Sequence, residues 1–185
     1  MDRTEVNQLI GDIEKQRGRA RKALGVFWFP LVVFGVIALF GALVTAIAAP
    51  PAIFALWIVA WPAGMVATAI YYGQRVHRIG LSAPPLPFIV TGLCLGLGAG
   101  LLGWFGHDTR LGYAGPLFVI GAGYLAFAWL QRSLLEAALA VALVVAAVFF
   151  WFVQPPHAGS LSLAFFGLAS LVVGAWNFRQ SASAE

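Results

Sequence analysis

The sequence predicts an all-α fold: a polytopic membrane bundle of six transmembrane helices, arranged as three hairpins with both termini on the cytoplasmic side. Three observations predict it. First, 61% of the 185 residues are hydrophobic and only 10% are charged, with a mean hydropathy of +0.89. A water-soluble domain usually carries about 25% charged residues, so this chain lacks the means to cover a surface facing water. Second, residues 26–48 and 49–74 contain no charged side chain. Apolar runs of that length read as membrane spans. A bilayer core offers no water to backbone N–H and C=O groups, so only helices and closed barrels cross it. The runs are continuous rather than alternating at period two, which selects helices. Third, the cationic residues gather on alternate sides of the successive runs, as set out below.

The polar segment 1–24 forms a cytoplasmic leader. Val6, Leu9, Ile10 and Ile13 recur at helical spacing behind Thr4, a capping residue type, which predicts a short amphipathic helix. A basic stretch follows, in which Arg17, Arg19, Arg21 and Lys22 are placed to meet anionic head groups of the inner leaflet. The alternative is a solvated leader that only fixes topology. The apolar run after it is longer than a secretory signal core, so it reads as a retained first span.

The spans are expected at 26–48, 52–72, 87–105, 112–130, 134–153 and 160–178, within a transmembrane domain of residues 25–178, with 179–185 as a cytoplasmic tail. Each is long enough to cross roughly 30 Å of hydrocarbon at 1.5 Å per residue. Chain breakers separate them: Pro50-Pro51, the three prolines between Ser82 and Pro87, the polar turn Gly106 to Arg110, the tight turn Gln131-Arg132-Ser133, and Pro155-Pro156.

Orientation follows from the loop cations. With both ends inside, the inner side holds Arg3, Lys15, Arg17, Arg19, Arg21, Lys22, Arg75, Arg78, Arg132 and Arg179, and the outer side Arg110 alone. The net charge of +4 and pI near 9.7 therefore read as positive-inside bias, not as a nucleic-acid surface. Aromatic residues mark two interfacial belts: Trp28, Tyr71, Tyr72, Trp129 and Trp176 at the inner ends, and Trp104, Tyr113 and Trp151 at the outer ends. Each returning span also closes on an aromatic followed by an arginine (Tyr72 and Arg75, Trp129 and Arg132, Trp176 and Arg179). That is a faint internal repeat, or the common need of an inward helix for such anchors.

Residues able to carry chemistry are few. No carboxylate lies well inside a span; Glu136 falls at the inner boundary of the fifth. His77, His107 and His157 occupy loops without metal-ligand spacing. Asp108 and Arg110 are placed to pair across the outer turn. The single cysteine, Cys94, cannot form a disulfide within the chain. No phosphate loop, nucleophile elbow or zinc signature is present, so neither enzymatic activity nor a cofactor is expected. Gly92, Gly96 and Gly100 repeat at spacing four in the third span, a ridge on which a helix of another copy or of the same bundle packs closely. Pro62 interrupts the second span and is expected to kink it. Trp61, Pro62, Cys94, Tyr124 and Ser170 fall near mid-span and are expected to line a pocket or gate.

The basic leader running into Trp28-Phe29-Pro30-Leu31, together with Trp61-Pro62-Ala63-Gly64 and Tyr71-Tyr72, resembles small six-span membrane proteins of unknown function common in high-GC actinobacteria. Gln154-Pro155-Pro156, Phe166-Gly167 and Gly174-Ala175 resemble the acid-resistance membrane proteins of the HdeD type, built from two-helix repeats, whose glycine pattern the first two hairpins keep poorly. Neither resemblance implies catalytic residues or a ligand. The expectation is a non-catalytic structural, accessory or self-associating membrane subunit, in contact with membrane lipids and with no nucleic-acid partner. The alternative is a small transporter, channel or membrane-embedded binder of an apolar or weakly polar molecule, which predicts a mid-membrane pocket of a few hundred Å³.

Overall fold

The computed structural model describes residues 28–47, 50–78, 86–106 and 109–182, together with Gly11. Within them the chain forms six α-helices and no strand: α1 (Trp28–Ile47), α2 (Pro50–Arg78), α3 (Leu86–Phe105), α4 (Arg110–Gln131), α5 (Leu134–Val153) and α6 (Ala158–Ala182). Five are long and apolar enough to cross a membrane; α3 offers a shorter apolar stretch, Val90–Phe105. The leader with Arg17, Arg19, Arg21 and Lys22 lies outside the described residues, as do His107, Asp108 and residues 183–185.

Two helices outrun their apolar runs. α2 continues to Arg78 and α6 to Ala182, because Gln74, Arg75 and Arg179 are good helix formers with no proline after them. Elsewhere the breakers act where they stand. Arg132 ends α4 in the left-handed region, at φ 55°. Its N–H reaches Trp129 O, while the N–H of Ser133 reaches Ala128 O at 3.1 Å. That is a Schellman closure, which satisfies carbonyls the helix end leaves free. Ser133 then caps α5, its hydroxyl accepting the Glu136 N–H at 3.4 Å. At the other end of the bundle Gln154 closes α5 with φ 47°. Its side-chain carbonyl, with the amide turned to suit, accepts from the Arg110 guanidinium. Arg110 thus ties the start of α4 to the end of α5.

The helices touch in chain order, α1 to α2 to α3 to α4 to α5 to α6, and α6 returns to α1. The ring is closed. Each expected hairpin is in contact, but the most extensive packing is between α1 and α6 and between α4 and α5. Small residues allow it. A Cβ on Gly167 would lie 2.8 Å from the carbonyl oxygen of Gly35, and one on Gly35 3.1 Å from that of Gly167. A Cβ on Gly121 of α4 would meet Ala140 O at 3.2 Å. These glycines let the helix backbones approach. A further contact between α4 and α6 sets α5 aside, leaving a five-helix enclosure of α1, α2, α3, α4 and α6.

Trp28 of α1 packs against Tyr71 of α2 and Phe178 of α6, with ring centroids 5.7 and 4.9 Å apart. The start of α1 and the ends of α2 and α6 therefore share one end of the bundle. Outward faces are apolar: Leu134 is 89% and Trp129 81% exposed, and Val59, Phe105, Phe152 and Val172 are also mostly uncovered. Soluble monomers do not present apolar surface on every side; a membrane protein does.

Candidate functional site

Among these five helices lies a partly open cavity of about 80 Å³ with an almost wholly apolar lining. Pro30 and Phe34 of α1 face it, as do Trp61, Met65, Thr68, Ala69 and Tyr72 of α2. Gly92 and Leu95 of α3, Ile120, Tyr124 and Phe127 of α4, and Phe166 of α6 complete it. The α2 set follows from helical geometry, since residues 61, 65, 68, 69 and 72 share one face. Thr68 turns its hydroxyl back onto Gly64 O at 2.8 Å, so it presents its methyl group to the void.

Trp61 and Tyr124 are thus brought together. Pro62 and Cys94 are not: both are exposed on the outer surface of the bundle. Each lies next to, or two positions from, an inward residue of its helix, and a single step along a helix turns a side chain through about 100°. Ser170 is fully buried with no partner for its Oγ. It sits one turn beyond Phe166 on the same face of α6, outside the lining. The pocket-or-gate set therefore reduces to Trp61 and Tyr124, and the void is smaller than the few hundred Å³ expected of a binder.

The glycine ridge is largely spent within the bundle. A Cβ on Gly96 would overlap the indole of Trp61, and one on Gly92 would approach Met65 Cε at 2.7 Å, while Gly100 has nothing within 4 Å. Three glycines at spacing four cannot share one contact, because each step of four advances about 40° beyond a full turn. The ridge turns away from α2 by the time it reaches Gly100. Trp61 is held from the other side by Phe34, at a centroid separation of 4.6 Å, and its Nε1 has no hydrogen-bond partner.

Two features have greater weight than the sequence suggests. Tyr72 is 7% exposed: it is a wall of the cavity rather than part of an interfacial belt, whereas its neighbour Tyr71 accepts a hydrogen bond from Arg75 at 3.0 Å and stacks on Phe29 at 4.2 Å. Glu136 is 2% exposed, although its position at a span boundary suggests contact with water. It occupies the buried face of α5 with Leu139, Ala140 and Leu143. The spacing of residues 136, 139, 140 and 143 carries that signal, since these positions fall on one helix face. Glu136 Oε2 has no hydrogen-bond partner. Among the described residues no three His, Cys, Asp or Glu side chains gather as metal ligands.

Searches against protein-family models, curated proteins and solved structures return no match to this chain, so the functional reading rests on the cavity and the groups around it.

Proposed function

We propose that the chain is a non-catalytic integral protein of the cytoplasmic membrane. In this reading it crosses the bilayer six times, keeps both termini on the cytoplasmic side, and holds a small apolar or weakly polar molecule in the cavity. The partly open, almost wholly apolar void among the five helices carries the proposal. A bundle whose only task is structural gains nothing from a void, because interiors pack to crystal-like density and empty space forfeits contacts.

Size sets the occupant. An engineered cavity of about 150 Å³ takes benzene; this one has about 80 Å³, with Met65, an unbranched and adaptable side chain, on its wall. By that measure about three heavy atoms fill the room as it stands, and displacement of the Met65 side chain admits a molecule of about five. The topology is supported by charge. Arg75, Arg78, Arg132 and Arg179 belong to the ends of α2, α4 and α6, and Arg110 to the opposite end. That segregation is the positive-inside pattern. The uncovered apolar faces make membrane lipids the immediate partners.

The test uses 5-fluorotryptophan-labelled protein in lipid nanodiscs, titrated with tert-butanol and followed by fluorine NMR. The Trp61 resonance, assigned with Trp61→Phe, shifts saturably, while Trp104 and Trp151 at the opposite end drift linearly. Ala69→Leu fills the void and abolishes saturation. A Trp61 signal that never saturates, or one that saturates equally in Ala69→Leu, overturns the proposal.

A further inference from the structure

We propose that the arginine-bearing end of the bundle holds the head group of an anionic phospholipid, in a site where α1, α2 and α6 meet. The site is independent of the cavity and rests only on lipid being the solvent around the helices.

Its floor is aromatic. Phe29 of α1 stacks on Tyr71 of α2 with ring centroids 4.2 Å apart. Trp28 joins Tyr71 to Phe178 of α6, at 5.7 and 4.9 Å. Three helix ends are thereby fixed at one level. The cluster is not sealed: Phe178 is 49% exposed, and Trp28, Phe29 and Tyr71 are half-buried. Such rings offer apolar faces to the glycerol and upper-chain region of a lipid.

Cations flank the same rings. The Tyr71 hydroxyl accepts from Arg75 Nη1 at 3.0 Å. That bond runs one turn back along α2, so the guanidinium lies back toward the rings. An arginine near a helix end otherwise extends its head into water. The bond uses one of five N–H donors, and the remaining fork suits a phosphate, which accepts two parallel bonds from such a group. Arg78 lies on the same stripe of α2, three residues on, and Arg179 follows Phe178 on α6; both are exposed.

Neighbouring acids do not balance these charges. Glu136 is the one acidic side chain among the described residues, and it is buried on α5, a helix without contact to α1 or α2. The sequence ahead of α1 adds six cations and four carboxylates, which leaves this end positive. A lipid phosphate supplies the missing negative charge at the level of the aromatic rings, and a zwitterionic lipid, which carries its own cation, supplies less of it. Arg132, in the turn between α4 and α5, belongs to the same end of the bundle but lies outside the cluster, and so separates a built site from general attraction to an anionic surface.

The test uses 5-fluorotryptophan-labelled protein in phosphatidylcholine nanodiscs, with Trp28 as reporter, assigned with Trp28→Phe. Raising the share of phosphatidylglycerol with the same acyl chains should shift that resonance saturably, with a preference over phosphatidylcholine of about tenfold or more. Arg75→Gln and Arg179→Gln should each lose about fivefold of that preference, whereas Arg132→Asn should stay within about twofold of wild type. A shift that follows the phosphatidylglycerol share linearly, or equal losses in all three variants, overturns the site. Saturation by glycerol phosphate in pure phosphatidylcholine discs assigns the arginines to a soluble anion and overturns the lipid. Should Arg75→Gln or Arg179→Gln fail to fold, the curvature of the wild-type titration decides. The cavity is reported separately by Trp61, so the two readings fail independently.

Discussion

Gly92, Gly96 and Gly100 look alike in the sequence, yet adding one methyl group to each should have three different consequences. At Gly96 a Cβ would overlap the Trp61 indole, with Cδ1 still only 2.7 Å away. Ordinary carbon contacts begin near 3.5 Å, so the ring has to retreat by about 1 Å or more. It is a rigid plane, backed by Phe34 at 4.6 Å and near Trp57 at 6.4 Å. Gly96→Ala is therefore an overpacking change costing about 1–3 kcal/mol, a loss of roughly 5- to 150-fold in the folding equilibrium. At Gly92 the obstacle is the methyl end of Met65, which swings aside at a cost below about 1 kcal/mol. At Gly100 nothing is near, and the higher helix propensity of alanine makes the change neutral or slightly stabilising. The assay is unfolding from mixed micelles by sodium dodecyl sulfate, followed by circular dichroism, with detergent-corrected mass measured alongside. The expected order of loss is Gly96→Ala, then Gly92→Ala, then Gly100→Ala, at unchanged oligomeric mass. Equal losses at all three positions, or a Gly96→Ala protein as stable as wild type, would refute the packing of α3 on α2.

Further outcomes follow from the same contacts. Gly167→Ala sets a Cβ 2.8 Å from the backbone oxygen of Gly35, an obstacle no side-chain rotation removes. It should cost at least as much as Gly96→Ala in the same assay. Ser133→Ala removes the cap of α5 and should cost about 1 kcal/mol, and Ser133→Asp should recover most of it. Cys94, exposed on the outer face of α3, should react with membrane-soluble N-ethylmaleimide and not with a charged thiol reagent, because a charged reagent does not enter the hydrocarbon around it. Rapid reaction with the charged reagent would place that face in water.

Much of the fold is legible from hydropathy and chain breakers. The fifth span, 134–153, coincides with α5, because Arg132-Ser133 and Gln154-Pro155 fix both ends through turn chemistry. The starts of all six helices fall within two residues of the expected ones. The ends of α2 and α6 do not, since hydropathy marks where lipid-compatible residues stop and not where the backbone hydrogen bonds stop. Partner choice is less legible. The contact between α1 and α6 draws on Gly35 of α1 and on Gly167 and Gly174 of α6, seven residues apart rather than four, while the conspicuous α3 series rotates out of its own interface. Of the site, Trp61 and Tyr124 are legible as mid-span aromatics. Cys94 and Pro62 share their depth but point outward, and depth alone does not report direction. Glu136 reads as a boundary residue until the face it shares with Leu139, Ala140 and Leu143 is recognised as buried.

The account depends on lipid surrounding this ring of helices, with the arginine-bearing helix ends on the cytoplasmic side. Two single-cysteine proteins on a Cys94→Ala background test that directly: Pro156→Cys, in the exposed turn between α5 and α6, and His77→Cys, exposed near the end of α2. An impermeant charged maleimide applied to intact cells should label Pro156→Cys at once and His77→Cys only after the membrane is opened. Labelling of His77→Cys in intact cells, or protection of Pro156→Cys from the outside, would contradict the orientation on which the rest is built.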